Sequence, residues 1–264
     1  MVLRTERAGE AGDVVLLVLD RPAVRNAIND ELLDALLAAF SSIASEVAAS
    51  VTSVRAVVLC GSGLEAFSSG MDLRERSSFS DAQLRDQHVR IASLIRAVRE
   101  LPVPVIAAVE GFALAGGFEL VLACDLVVAS SSASFGLPEV RVGIIAGGGG
   151  ARLLAWAVGD ARARDLVLTG RRLPASEAAD WGLVTHVVRP GEALAWALEL
   201  ASAVAAGAPL AVRSAKAAIL NARPLLASGA AVEDALYETV LVSADRREGF
   251  TAFAEKRPPR FRGR

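Results

Sequence analysis

The feature that most constrains this chain is an unbroken apolar run, Val14-Val15-Leu16-Leu17-Val18-Leu19, set between Asp13 and Asp20. A strand with one wet face alternates apolar and polar residues, because successive side chains point to opposite faces. A run without alternation has both faces in an apolar interior, the situation of a parallel sheet covered by helices. The pattern recurs at Ala56 to Cys60, Val105 to Val109 and Leu126 to Ala129, and Val184 to Val188 reads as a fifth strand. Helical patterns lie between these runs. Asn29 is a plausible helix cap, followed at helical spacing by Leu32, Leu33, Leu36, Leu37, Phe40 and Ile43. Ser80 with Gln83 forms a capping-box pattern. It predicts a helix to about Glu100 with Val89, Ile91, Leu94, Ile95 and Val98 on its apolar face, closed by Pro102 and Pro104. Strands alternating with helices predict an α/β fold with mostly parallel pairing.

After Pro190 the texture changes: Ala dominates and apolar residues recur at three and four. Residues from about 191 to 256 read as three or four helices with no strand. They carry apolar residues on more than one face, which predicts packing against the sheet or against another subunit. The chain therefore divides into a core of residues 1–190 and a helical region of residues 191–264.

Composition excludes several classes. Lys and Arg number 28 against 30 Asp and Glu, a net charge of −2, so no broad basic face for nucleic acid is expected. The longest near-continuous apolar runs, such as Val103 to Val109, are of strand length and far short of a membrane span. The first ten residues lack the apolar stretch of a signal peptide. Cys60 and Cys124 end apolar segments and read as reduced core thiols, so a cytoplasmic location is expected. With two His and two Cys, and neither HExxH nor CxxC, no metal is expected.

Three glycine-rich segments carry the chemistry. Gly61-Ser62-Gly63-Leu64-Glu65-Ala66 follows a strand and matches GxGxxA. However, Phe67-Ser68-Ser69-Gly70 are poor helix formers that predict a loop, and no strand ending in an acid lies about twenty residues on. A strand-to-loop turn fits better than a dinucleotide site. In Glu110 to Leu120, Gly116 and Gly117 open a short apolar helix. Paired glycines there either present bare N–H groups to a ligand or let helix pack closely on strand. Glu119 favours a ligand, because a carboxylate on an apolar segment must be paired or functional. Glu139, after Phe135-Gly136-Leu137-Pro138, read alone is a surface acid after a Pro turn. The run Gly147 to Gly150 before an apolar helix suggests a backbone-lined pocket wall, and no Gly-Lys-Ser/Thr follows it to make a phosphate loop. Backbone donors and a Glu pair are the equipment for stabilising an enolate while moving protons.

At these residues the chain resembles the enoyl-CoA hydratase/isomerase (crotonase) family nearly end to end. The matching strings are Asp20-Arg21-Pro22-Ala23-Val24-Arg25-Asn26-Ala27-Ile28, Ala66 to Leu73, Gly111 to Asp125, and Phe135 through the glycine run. Leu168-Thr169-Gly170, Ala178 to Val184, and Arg247 to Phe250 with Phe253 to Arg257 continue the match. The resemblance implies a spiral of ββα units with a helical C-terminal region that builds homotrimers, often paired into hexamers. It implies an acyl-CoA thioester substrate with no separate cofactor. Met71 and Gly116 would hold the thioester oxygen through their N–H groups, and Glu119 and Glu139 would be the catalytic carboxylates. Arg25, Ser69, Asp72, Leu73 and Arg74 would lie along the CoA and substrate. Phe253 and Lys256 occupy positions that reach a neighbouring subunit's nucleotide in family trimers. Keeping both Glu favours hydration of a 2-enoyl-CoA over Δ3-Δ2 isomerisation, which needs one carboxylate. Carnitinyl-CoA-type dehydration is a further alternative within the family. A Clp-type serine peptidase would need a Ser-His-Asp set, and GxSxG is absent. A non-catalytic CoA-binding scaffold would have no use for two carboxylates. His88 and His186 match no family role and read as structural. Ala115, Leu137, Ala146 and Ala151-Arg152-Leu153 depart from the family pattern around the acyl pocket.

Overall fold

The computed structural model describes residues 1–221, 237–238 and 241–260. The chain opens with β1 (Leu3–Ala8), β2 (Val14–Leu19), α1 (Asp30–Ala49) and β3 (Ala56–Gly61). Then follow β4 (Ala66–Ser68), α2 (Leu73–Arg76), α3 (Asp81–Glu100), β5 (Val105–Val109), β6 (Phe112–Leu114) and α4 (Gly116–Ala123). Next come β7 (Leu126–Ser130), β8 (Ser134–Gly136), a 3-10 turn at Glu139–Val142, α5 (Gly150–Val158) and α6 (Asp160–Thr169). The remaining described elements are β9 (Leu173–Pro174), α7 (Ala175–Asp180), β10 (His186–Val188), α8 (Ala193–Ala205), α9 (Pro209–Asn221) and α10 (Ala244–Ala254).

The strands form two sheets. One has the order β1-β2-β3-β5-β7-β10, the other β4-β6-β8-β9. In the first only β1 is antiparallel, and in the second only β9. Each of β3, β5 and β7 continues into a short strand of the second sheet and then into helix, so three successive ββα units wind along the two sheets.

The unbroken run of β2 has its explanation here. Val15, Leu17 and Leu19 enter one core with α1, α3 and α4, while Val14, Leu16 and Val18 enter another beneath α8. Both faces of the strand are dry, and each such side chain contributes roughly 1.5–3 kcal/mol by leaving water. Ala193, Ala197 and Ala201 of α8 are fully buried against the sheet. Their small side chains let the helix lie close, which answers where part of the alanine-rich tail packs. The caps are those the sequence predicts. Asn29 Oδ1 accepts from Leu32 N at 3.1 Å, and Ser80 and Gln83 form a reciprocal capping box.

The structure corrects several expectations. Val89 is 62% exposed, off the apolar stripe of α3. Strand β10 begins only at His186, with Val184 buried in the turn before it. The segment expected to be a plain loop contains β4. Strand β1 was not expected, because an edge strand that buries only Leu3 has no apolar alternation to read. Although no apolar run in the sequence is long enough for a membrane, α1 is by length and composition. It instead buries Leu32, Leu33, Leu36, Phe40, Ile43 and Val47 in the protein core. Residues 222–236, 239–240 and 261–264 of the helical region lie outside the described residues.

Candidate active site

The parallel strands β4, β6 and β8 end together, with Leu114 opposite Gly136 in register. The three loops leaving them meet around a cavity of about 690 Å³, within the usual range for a small-molecule site.

The first loop is held from behind by the segment at Asn26. Asn26 is fully buried with φ +52°. Its Nδ2 donates to the carbonyls of Ser62 (3.0 Å) and Ala66 (2.8 Å), and its Oδ1 accepts from Arg21 N at 3.0 Å. Ile28 N donates to Gly70 O, and Asp72 N donates to Ile28 O. These bonds fix the amide of Met71. Asp72 Oδ1 caps α2 by accepting from Arg74 N and Glu75 N, and Oδ2 pairs with Arg21 at 3.1 Å. Both carboxylate oxygens of Asp72 thus hold the loop.

The second loop brings α4. Ala115 caps it at φ +50°, ψ −128°, a conformation that favours glycine. Its N–H donates to Gly136 O, and its carbonyl accepts from Glu119 N. The paired glycines that follow divide the two roles left open by the sequence. A Cβ on Gly117 would stand 2.6 Å from Ser68 O, so Gly117 permits close packing of α4 on β4. A Cβ on Gly116 would meet nothing nearer than 3.7 Å, Met71 N among its neighbours. Gly116 lines the cavity beside Met71. Among the described residues neither Met71 N–H nor Gly116 N–H has a hydrogen-bond acceptor. Two adjacent amides without partners form a pocket for an oxyanion.

Glu119 sits one turn into α4, 3% exposed. Its Oε1 accepts from Gly150 N at 2.8 Å. The glycine run is shaped around it, since a Cβ on Gly148 or Gly150 would approach its carboxylate to 2.9 or 2.8 Å. Glu139, at the start of the 3-10 turn after β8, is 6% exposed, and its Oε2 has no hydrogen-bond partner. Burial pushes the Glu119 carboxyl up to about 7, against the opposing pull of the Gly150 and Gly148 amides and the Arg76 charge. Burial raises Glu139 well above the ordinary carboxylate range, and the charge of Glu119 raises it further. Two acids that resist ionising together divide into one acid and one base at neutral pH.

Of the residues singled out by sequence, Arg25, Ser69, Met71, Asp72, Leu73, Arg74, Gly116, Glu119, Glu139 and Phe253 line this cavity, and Lys256 does not. Arg25 is largely exposed and pairs with Glu65 at 2.7 Å. The Arg25 and Arg172 guanidiniums lie 5.9 and 5.2 Å from the centre of the Phe112 ring. Phe253, 53% exposed, lines the cavity of its own chain. His88, read as structural, lines it as well, stacked on Tyr237 with ring centres 3.8 Å apart.

The family model described as enoyl-CoA hydratase/isomerase matches residues 9–264. The chain belongs to the enoyl-CoA hydratase/isomerase family. It is 40% identical over 253 residues to 2,3-dehydroadipyl-CoA hydratase of Escherichia coli (strain K12), covering 95% of this chain and 96% of that protein. Among solved structures, enoyl-CoA hydratase from Bacillus anthracis is 39% identical over 100% of both chains, with a TM-score of 0.80. Carnitinyl-CoA hydratase from Mycobacterium avium is 35% identical over 100% of this chain and 99% of that one, with a TM-score of 0.86. The two sheets and their ββα spiral are thus the crotonase fold.

Sequence reasoning missed Arg76, Gln87, Arg141, Arg172 and Tyr237, all of which line the cavity. Nothing local sets Arg76 apart from Arg74, yet Arg76 is 6% exposed. Tyr237 is the chain's single tyrosine and carried no motif.

Proposed function

We propose that the chain hydrates 2-enoyl-CoA thioesters to 3-hydroxyacyl-CoA. One observation carries the reading: two buried carboxylates, Glu119 and Glu139, share a cavity wall with two unpartnered backbone N–H groups, Met71 and Gly116. The thioester oxygen accepts from the two N–H groups, so the charge that develops as an enolate meets preorganised donors. Glu119 takes the proton of the attacking water and Glu139 delivers one to the α-carbon, as burial and the charge of Glu119 beside Glu139 keep one of the pair protonated. Both steps occur on one face of the planar enoyl group. A second carboxylate has no task in moving a double bond, so hydration fits the pair better than isomerisation does.

The open end suits CoA, a multiply charged anion. Arg25, Arg74, Arg141 and Arg172 line the cavity, and the guanidiniums of Arg25 and Arg172 lie over the Phe112 ring. The acyl group itself is not common to the relatives, one of which is named for 2,3-dehydroadipyl-CoA and another for carnitinyl-CoA. A homotrimer or hexamer built on the helical tail belongs to the same proposal, and light scattering measures it.

The test is hydration of crotonyl-CoA, followed by loss of enone absorbance. Glu119→Gln and Glu139→Gln should each lower kcat by about 10²–10⁴. The double variant should lose far less than the product, because the pair acts as one unit. No hydration by the wild-type protein refutes the reading. Loss confined to Glu139→Gln favours the isomerase.

A further inference from the structure

Arg76 is a buried cation for which the reaction has no task. It is 6% exposed and lines the cavity. Its Nη2 donates to Tyr237 Oη at 2.6 Å, its Nε has no hydrogen-bond partner, and no carboxylate pairs with it among the described residues. Arg246, equally buried, is completed by Asp81 at 2.7 Å. A buried charge without a counter-ion is costly, and it persists where something else supplies the opposite charge. Glu119 and Glu139 feel Arg76 only through space, and both are engaged in proton transfer.

Tyr237 adds a second donor. Its phenol oxygen accepts from Arg76, which has no acceptor to offer, so the phenol's own proton is left to donate. The ring is 3% exposed and held by its stack on His88, nearly parallel at 5°. Beside the polar Gln87 and His88, the cavity is lined by the apolar Ile91, Leu114, Val142, Ile144 and Ile145. Such a wall accommodates methylenes, while a purely hydrocarbon chain ending at Arg76 would leave the guanidinium desolvated and unpaired.

We propose that Arg76 and Tyr237 form a second anion subsite at the buried end of the cavity, which receives a carboxylate on the far end of the acyl chain. The preferred substrate is then a dicarboxylic acyl thioester: one carboxyl carries CoA and the other meets Arg76. One guanidinium and one phenol match a single carboxylate in number and charge. The proposal rests on reading the cavity as an acyl-CoA site, and its test is one of binding and needs no turnover.

The experiment compares saturated thioesters of equal length by titration calorimetry: glutaryl-CoA against pentanoyl-CoA, and adipyl-CoA against hexanoyl-CoA. In at least one pair the wild-type protein should bind the carboxylated thioester about 10- to 100-fold more tightly, the weight of a hydrogen bond to a charged partner. Arg76→Leu should bring that ratio to about one or below. Tyr237→Phe, which keeps the ring and its stack, should reduce it by about threefold or more. It also decides the matter if circular dichroism shows Arg76→Leu unfolded. Absence of preference in both wild-type pairs overturns the subsite. So does a ratio that survives Arg76→Leu in a folded protein, even if the pH profile of turnover moves, since Arg76 then serves only the glutamates. The two readings fail separately. A protein that prefers the carboxylated ligands but hydrates no enoyl-CoA keeps the subsite and loses the hydratase. An active hydratase without preference does the reverse.

Discussion

Replacing Glu119 by Gln should make the enzyme worse and the protein more stable, with the stability gain appearing only at higher pH. The Glu119 carboxyl ionises near 7 in the folded chain, against 4.5 when unperturbed, because it is buried. A carboxyl raised by folding binds its proton more tightly in the native state, so stability falls as pH climbs from 4.5 to about 7 and stays lowered above it. The full difference is about 3 kcal/mol above pH 7, while at pH 5 less than about 1 kcal/mol has been lost. Gln is uncharged and escapes this cost. Its carbonyl oxygen keeps the bond from Gly150 N, now 2.8 Å. Its amide group then faces the Gly148 N–H, whose pull now favours the carboxylate, and two opposed donors cost about 1 kcal/mol. The variant should therefore be near neutral at pH 5 and about 2 kcal/mol more stable at pH 8. Urea unfolding at both pH values, with protein concentration fixed, measures it. Turnover of crotonyl-CoA should meanwhile drop by about 10²–10⁴. An equal stability difference at both pH values, or a loss that grows toward pH 8, would show that Glu119 is not held against its charge.

Ala115→Gly should raise stability by about 1 kcal/mol, because φ +50° with ψ −128° strains alanine by about 1–3 kcal/mol and glycine gives back part of that in chain entropy; an unchanged urea midpoint refutes the strain. Gly148→Ala places a Cβ 2.9 Å from Glu119 Oε2 and 3.1 Å from Ile95 Cγ1. It should lower kcat by about tenfold or more in a folded protein, since a small displacement of a catalytic group is costly, and steady-state kinetics with crotonyl-CoA check it. Asn26→Ala unpairs Ser62 O, Ala66 O and Arg21 N together and should destabilise by about 2–4 kcal/mol. A midpoint shift worth less than about 1 kcal/mol would mean water replaces the amide without loss.

The legible parts of the fold were those written in apolar runs and caps. β2, β3, β5 and β7 are buried on both faces and show as continuous hydrophobic strings, and Asn29 and Ser80 mark helix starts by side-chain chemistry that acts within three residues. The second sheet was not legible, because its strands span two or three residues and are made by neighbours far along the chain. The site divides in the same way. Glu119 announces itself as an acid in an apolar helix, and the glycines as breaks in helical pattern. Arg76 does not, since nothing local distinguishes an arginine pressed into a cavity from its neighbour Arg74 in a four-residue helix. Its burial depends on Tyr237, which arrives 161 residues later.

The division of labour at the site follows from the winding of the chain. Each ββα unit turns at the end of a second-sheet strand, and because β4, β6 and β8 are parallel their three turns must fall on the same side. The first turn contributes the Met71 amide, the second the Gly116 amide and Glu119, and the third Glu139. Distance along the chain is thereby converted into adjacency by register alone. Leu114 pairs with Gly136, so Gly116 and Pro138 each stand two residues beyond matched positions. A slip of one residue between β6 and β8 would turn Phe135 out of the core, where it is fully buried 5.3 Å from the Phe118 ring. It would also carry Glu139 away from Glu119. The apolar pair Phe118 and Phe135 thus fixes the register that brings two carboxylates together, so hydrophobic packing sets the spacing on which the proposed proton chemistry depends.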